Sequence, residues 1–202
     1  MTLATDPASG TGFRIYFIRH GETEWSLSQR HTGRTDIPLT ARGEEQARAV
    51  GARLSDIGFS SVLTSPSQRA QRTCELAHLS VLAEIEPDLA EWDYGDYEGQ
   101  TSEEVSRGRP GWNVFRDGCP GGETPLQISD RADRLIANLD KQCGSIALFS
   151  HGQFGSALAA RWIGLPVAKG QHFSIYPASL SILGYNPGHP EVRVITLWND
   201  AR

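Results

Sequence analysis

Two short apolar runs in this chain end on the same dipeptide. Phe17-Ile18-Arg19-His20-Gly21 and Phe149-Ser150-His151-Gly152 each read as a buried strand that stops at His-Gly. Ligands of open α/β sheets bind at the carboxyl ends of strands, so two such histidines can converge in one crevice. A neutral imidazole held through one nitrogen leaves the other free for nucleophilic attack or proton transfer. Arg-His-Gly alone is short enough to recur by chance, so the surrounding residues decide.

Other chemistries fail on spacing. A cysteine phosphatase needs Cys-x5-Arg, but the sixth residue after Cys74, Cys119 and Cys143 is Ser80, Pro125 and Phe149. No G-x4-GK[ST] loop occurs, which excludes a P-loop nucleotide site. No His-x3-His or Cys-x2-Cys pair supports zinc.

Composition narrows the class further. The chain has 202 residues, which favours one domain. With 39% apolar and 21% charged residues it is neither disordered nor a membrane protein, and no run of about 18 apolar residues exists. A net charge of −5 makes nucleic acid and anionic lipid poor partners. An anionic substrate would need a locally basic pocket. Three cysteines without metal spacing fit a reducing cytoplasm. Met1 to Gly12 lacks the pattern of a signal peptide and reads as a mobile tail, which leaves residues 13–202 as the domain. A homo-oligomer is compatible with this composition.

The elements that position these residues alternate. Strands are predicted over Phe13–Ile18, Ser61–Thr64, Val81–Ile85, Ser145–Phe149, Ser179–Tyr185 and Val192–Trp198. Helices are predicted over residues 41–54 with Thr40 as N-cap, over Ser67–His78, over Pro125–Gln142, and from Gly152 through Trp162. Asp88–Glu123 has no sustained period and reads as an excursion over one face, with a short helix near Ser102–Ser106. This order implies an α/β fold with a largely parallel sheet and helices on both faces.

The ordered motifs sharpen the reading. They are Arg19-His20-Gly21-Glu22-Thr23-Glu24-Trp25, Thr32-Gly33, Leu39-Thr40, Thr64-Ser65-Pro66 with Arg69-Ala70, Leu89-Ala90-Glu91 with Glu98-Gly99, Gly122-Glu123-Thr124, and Ser150-His151-Gly152. Over roughly residues 13–198 this set resembles the histidine phosphatase superfamily, in the branch that also holds phosphoglycerate mutases. Glu91 to Gly99 and Trp112 to Glu123 look like its sugar-phosphate phosphatases. That group includes fungal sedoheptulose-1,7-bisphosphatase and bacterial acid phosphatases.

The resemblance implies a three-layer α/β/α, phosphoglycerate mutase-like fold and a small phosphorylated metabolite as substrate. It implies that His20 becomes phosphohistidine and that Arg19, Arg69 and His151 hold the phosphate oxygens. It implies Glu91 as general acid and base, although Asp93, Asp96 and Glu98 are nearby rivals. Thr23, Ser26, Thr32, Gly33 and Gly152 are expected around the substrate. No metal or other cofactor is expected, since side chains supply the cations. Ser26 stands where many mutases have Asn, and the excursion is short, so phosphatase ranks above mutase. His31, His78, His172 and His189 are read as packing or surface groups, and Trp92 and Trp112 as the tryptophans suited to wall a pocket.

Overall fold

The computed structural model describes residues 12–202. The tail expected over 1–12 lies outside these residues, apart from Gly12.

In chain order the elements are β1 (Arg14–Arg19), α1 (Glu24–Leu27), α2 (Ala41–Leu54), β2 (Phe59–Thr64), α3 (Gln68–Leu76), β3 (Ala83–Ile85), α4 (Ser102–Gly108), α5 (Val114–Asp117), α6 (Pro125–Leu139), β4 (Ser145–Ser150), α7 (Gly152–Trp162), β5 (Leu180–Asn186) and β6 (His189–Asp200). Thr40 caps α2 by accepting from the Gly43 N–H, as the sequence predicts.

The six strands lie in the order β3-β2-β4-β1-β5-β6. The first four are parallel, β5 pairs antiparallel with β1, and β6 pairs antiparallel with β5. Strands β1 and β4 sit in the middle, which explains why their apolar runs show no alternation: both faces are covered. On one face Ile15, Phe17, Ile146 and Leu148 pack against α6 and α7 through Leu135, Leu139, Leu158 and Trp162. On the other, Tyr16, Ile18, Ala147 and Phe149 meet α2 and α3 through Val50, Leu54 and Cys74. The sheet therefore has a helical layer on each side. No helix among the described residues is long and apolar enough to cross a membrane.

The excursion is more ordered than its sequence suggests. It builds a small core of its own from Trp92, Tyr94, Val105, Trp112, Val114 and Phe115, closed by Ile128 and Ala157. Helices α1 and α5, four residues each, were not predicted; they are held by side-chain caps rather than by an apolar stripe. The α3 helix stops at Leu76, short of His78, because His78 takes a positive φ of 61°. Strand β6 starts earlier than predicted because Pro187 and Gly188 alone make the turn, and Asn186 already pairs with His189.

The turn after β1 is pressed backbone to backbone on the first turn of α2. A Cβ at Gly21 would strike the Gly43 carbonyl, and a Cβ at Gly43 would strike the Glu22 carbonyl. Only residues without side chains fit there.

Candidate active site

Strands β1 and β4 are paired in register, Arg19 opposite Ser150. The next residue of each strand is a histidine, so His20 and His151 emerge side by side with ring centroids 5.2 Å apart. The third neighbour, β2, ends at Thr64, and Ser65 follows it into the same crevice.

His20 Nδ1 donates to the Gly21 carbonyl at 2.7 Å. A carbonyl oxygen only accepts, so the proton sits on Nδ1 and Nε2 carries the lone pair. Burial, and then the charges of Arg69 and Arg19, push the ring's pKa well below its usual value; the Gly21 hydrogen bond opposes them more weakly. The ring is thereby neutral and nucleophilic at Nε2.

Around it lie three buried nitrogens with no hydrogen-bond partner among the described residues: Arg19 Nε, Arg69 Nε and His151 Nδ1. Arg19 Nη1 donates to the Ile175 carbonyl at 2.6 Å, and Gly152 passes close beside the guanidinium. Arg69 is wholly buried. Its Nη1 donates to Thr35 and its Nη2 to Thr32 and Gly33, all on backbone carbonyls. Three of the five N–H groups of the guanidinium expected on phosphate are thus taken by the 32–35 loop, and Arg69 keeps its Nε–H and one Nη1–H. Burial lowers the pKa of both arginines. His151 Nε2 lies 2.7 Å from Ser65 Oγ. Its pKa too is pushed well down, by burial first and then by Arg69 and His20.

Glu91 lies across the cavity at the start of α7. Its Oε1 accepts from the N–H groups of Trp92 and Phe154, and its Oε2 from that of Gln153. Oε2 therefore keeps a lone pair for a proton. Arg131 fixes the segment from outside, donating to the Asp88, Ala90 and Glu91 carbonyls and to both oxygens of Glu123. Two of the three rivals are otherwise engaged. Glu98 accepts from the N–H groups of Gly33 and Thr35, and Asp93 pairs with Arg34.

The profile of the histidine phosphatase superfamily (branch 1) matches residues 15–200. The chain belongs to that superfamily. It is 41% identical to an acid phosphatase of Mycobacterium tuberculosis over 91% of this chain and 92% of that one. It is 37% identical to a sedoheptulose 1,7-bisphosphatase of Saccharomyces cerevisiae over 77% of this chain and 69% of that one. Among solved structures, an open reading frame of M. tuberculosis superposes with a TM-score of 0.88 at 38% identity, covering 93% of this chain and 97% of that one.

In this histidine phosphatase a cavity of about 640 Å³ opens above His20. Arg19, Thr23, Ser26, Thr32, Glu91 and Gly152 line it, as does Trp112. Thr23 and Ser26 form the capping box of α1, so their side chains also brace the turn. Arg69, His151 and Gly33 stand behind the wall. The Gly33 N–H goes to Glu98, which leaves Gly33 a bracing part rather than a wall residue. Trp92 is fully buried beneath the excursion and walls nothing.

The sequence reading missed several wall residues: Arg30, Tyr94, Asn113, Gln171 and Tyr176. His31, read as packing, is both: it stacks on Tyr94 at 4.5 Å and lines the cavity. Gln171 comes from a turn at Val167–His172 that carries no motif, so nothing in the sequence marked it. A cavity of about 740 Å³ lies between α3 and β3, with no histidine among the described residues that line it. Its arginine, Arg72, is paired with Glu44 and Glu75, so its charge is already met.

Proposed function

We propose that the chain hydrolyses phosphate monoesters of small metabolites, sugar phosphates among them, through a phosphohistidine on His20 and without a metal ion. The observation that carries this reading is the set of three partnerless buried nitrogens, from Arg19, Arg69 and His151, around one nucleophilic imidazole. Buried donors lacking partners are costly, and a phosphate at His20 would satisfy all three.

In the first step His20 Nε2 bonds to phosphorus while the P–O bond to the leaving group breaks. Protonated Glu91 gives its proton to the departing oxygen. In the second, water attacks phosphorus, Glu91 takes the water's proton, and the N–P bond breaks to release phosphate. The arginine charges balance the phosphoryl oxygens throughout. A substrate of sugar-phosphate type agrees with the name of the yeast relative. The three free cysteines, Cys74, Cys119 and Cys143, agree with a cytoplasmic setting.

Incubation with sugar phosphates and 3-phosphoglycerate, chelator present, tests the reading. Phosphate release with an acid-labile, base-stable adduct on wild type, absent in His20→Ala, supports it. Isomerisation of phosphoglycerate without release would make the chain a mutase. Ligand binding with neither reaction would make it a binding module.

A further inference from the structure

The cavity is much larger than a phosphate group requires, and its outer half differs in chemistry from the seat beside His20. Among the described residues, the only cationic side chains in its walls are Arg19, at the phosphate seat, and Arg30, further out. Arg30 is already engaged. Its Nη1 donates to the Gly99 carbonyl at 2.6 Å and to the Glu104 carboxylate at 3.2 Å. Glu104 is fixed in turn, because its Oε2 accepts from the Thr101 N–H in the capping box of α4. The cation that could meet a second anionic group therefore has a tethered countercharge.

The other outer walls are neutral. Asn113 Nδ2 donates to Gln171 Oε1 at 3.2 Å, which leaves both amides with unused donors and acceptors. His31 is held neutral, its pKa lowered to about 4 by burial. Trp112 adds an aromatic face. Residues 1–11 contain no Lys, Arg or His that could add a cationic side chain. Amides that both give and accept suit hydroxyl groups, whereas a second phosphate would lose hydration without gaining an unpaired cation.

We propose that the outer half of the cavity seats a neutral, hydroxyl-rich tail, and that Glu104, by cancelling Arg30, selects monophosphate esters over bisphosphates and phosphorylated carboxylates. This rests on the phosphatase reading above. Glu104 is a specificity-determining residue on this account, acting through Arg30 rather than on the reacting atoms.

The test compares kcat/KM for ribose 5-phosphate and glucose 6-phosphate with that for fructose 1,6-bisphosphate and 3-phosphoglycerate. Hydrolysis of p-nitrophenyl phosphate serves as the control for the chemistry itself. Wild type is expected to prefer the neutral-tailed monophosphates by about tenfold or more, the scale of one uncompensated charge near a protein surface. Glu104→Gln keeps the cap on α4 but frees Arg30, and should narrow that preference by about 3- to 10-fold. Equal or better turnover of the doubly anionic substrates by wild type would overturn the proposal while p-nitrophenyl phosphate hydrolysis upholds the phosphatase reading. A preference that Glu104→Gln leaves unchanged would overturn it too. If no phosphate ester is hydrolysed, the phosphatase reading fails and takes this proposal with it.

Discussion

Ser65 Oγ and His151 Nε2 meet at 2.7 Å, at the ends of two adjacent parallel strands. Ser65 Oγ also accepts from the Ser67 N–H at 3.3 Å, and of the two acceptors within reach of its own proton, Ser67 Oγ at 3.4 Å and the imidazole at 2.7 Å, the shorter contact favours the imidazole. His151 then keeps its proton on Nδ1, the nitrogen that has no partner among the described residues. In the proposed mechanism the serine hydroxyl sets which nitrogen of His151 faces the phosphate as a donor. Ser65→Ala should lower kcat/KM about tenfold, the scale of one lost hydrogen bond, and Ser65→Thr should restore most of it. Nitrogen chemical shifts of labelled His151 check the tautomer directly. A wild-type ring protonated on Nε2 would refute this role.

Glu91→Gln retains shape but removes the proton. Turnover of an alkyl phosphate should fall by about 10²- to 10⁴-fold. The loss on p-nitrophenyl phosphate should be much smaller, because that leaving group departs without protonation. Equal losses on both substrates would show that Glu91 is not the acid.

Arg131→Met strikes the support behind Glu91. Arg131 is buried and meets both oxygens of Glu123, so its loss takes the countercharge from a carboxylate that keeps only the Asp93 N–H, and removes the side-chain donor from three carbonyls. Breaking such a pair from one side costs about 3–5 kcal/mol. Urea denaturation of the variant should show a loss in that range. A loss below about 1 kcal/mol would mean that Arg131 is not needed to hold the segment.

His31 gives stability a pH dependence of definite sign. Burial lowers its pKa to about 4 in the folded state, against about 6.5 when unfolded. Between these values the unfolded chain binds a proton that the folded chain refuses. Its contribution is full above pH 6.5 and is lost as the pH falls towards 4, by about 3 kcal/mol in all. His31→Phe keeps an aromatic ring against Tyr94 and cannot titrate. Unfolding curves at pH 7 and pH 4.5 should therefore lie closer together for the variant than for wild type. An equal gap in both proteins would count against His31.

The reach of the sequence reading follows from how each residue acts. Strands β1 and β4 were legible because burial on both faces demands unbroken apolar runs, and the histidines were legible because they end those runs. Strand order was not, since nothing in Phe59–Thr64 records that β4 is its neighbour. Arg69 was recognised as a site residue, but not that its two terminal nitrogens go to the carbonyls of residues 32–35. That depends on a loop whose path is set by Glu98, sixty-odd positions away. The wall residues Asn113 and Gln171 were illegible for a related reason. They come from short turns fixed by caps and by the excursion's own small core, where no periodicity betrays a side chain's direction.

The contact between Gly21 and Gly43 has an evolutionary consequence. Each glycine is pinned by the other's backbone neighbourhood, so neither position offers a single-step neighbour in sequence space that keeps the turn. A second substitution cannot compensate for the first, because what would have to move is main chain. The turn that follows His20 is therefore anchored where drift is blocked. The outer walls, built from side chains of a separately packed excursion, remain open to substitution. Lineages descended from this architecture are free to change what they hydrolyse long before they can change how.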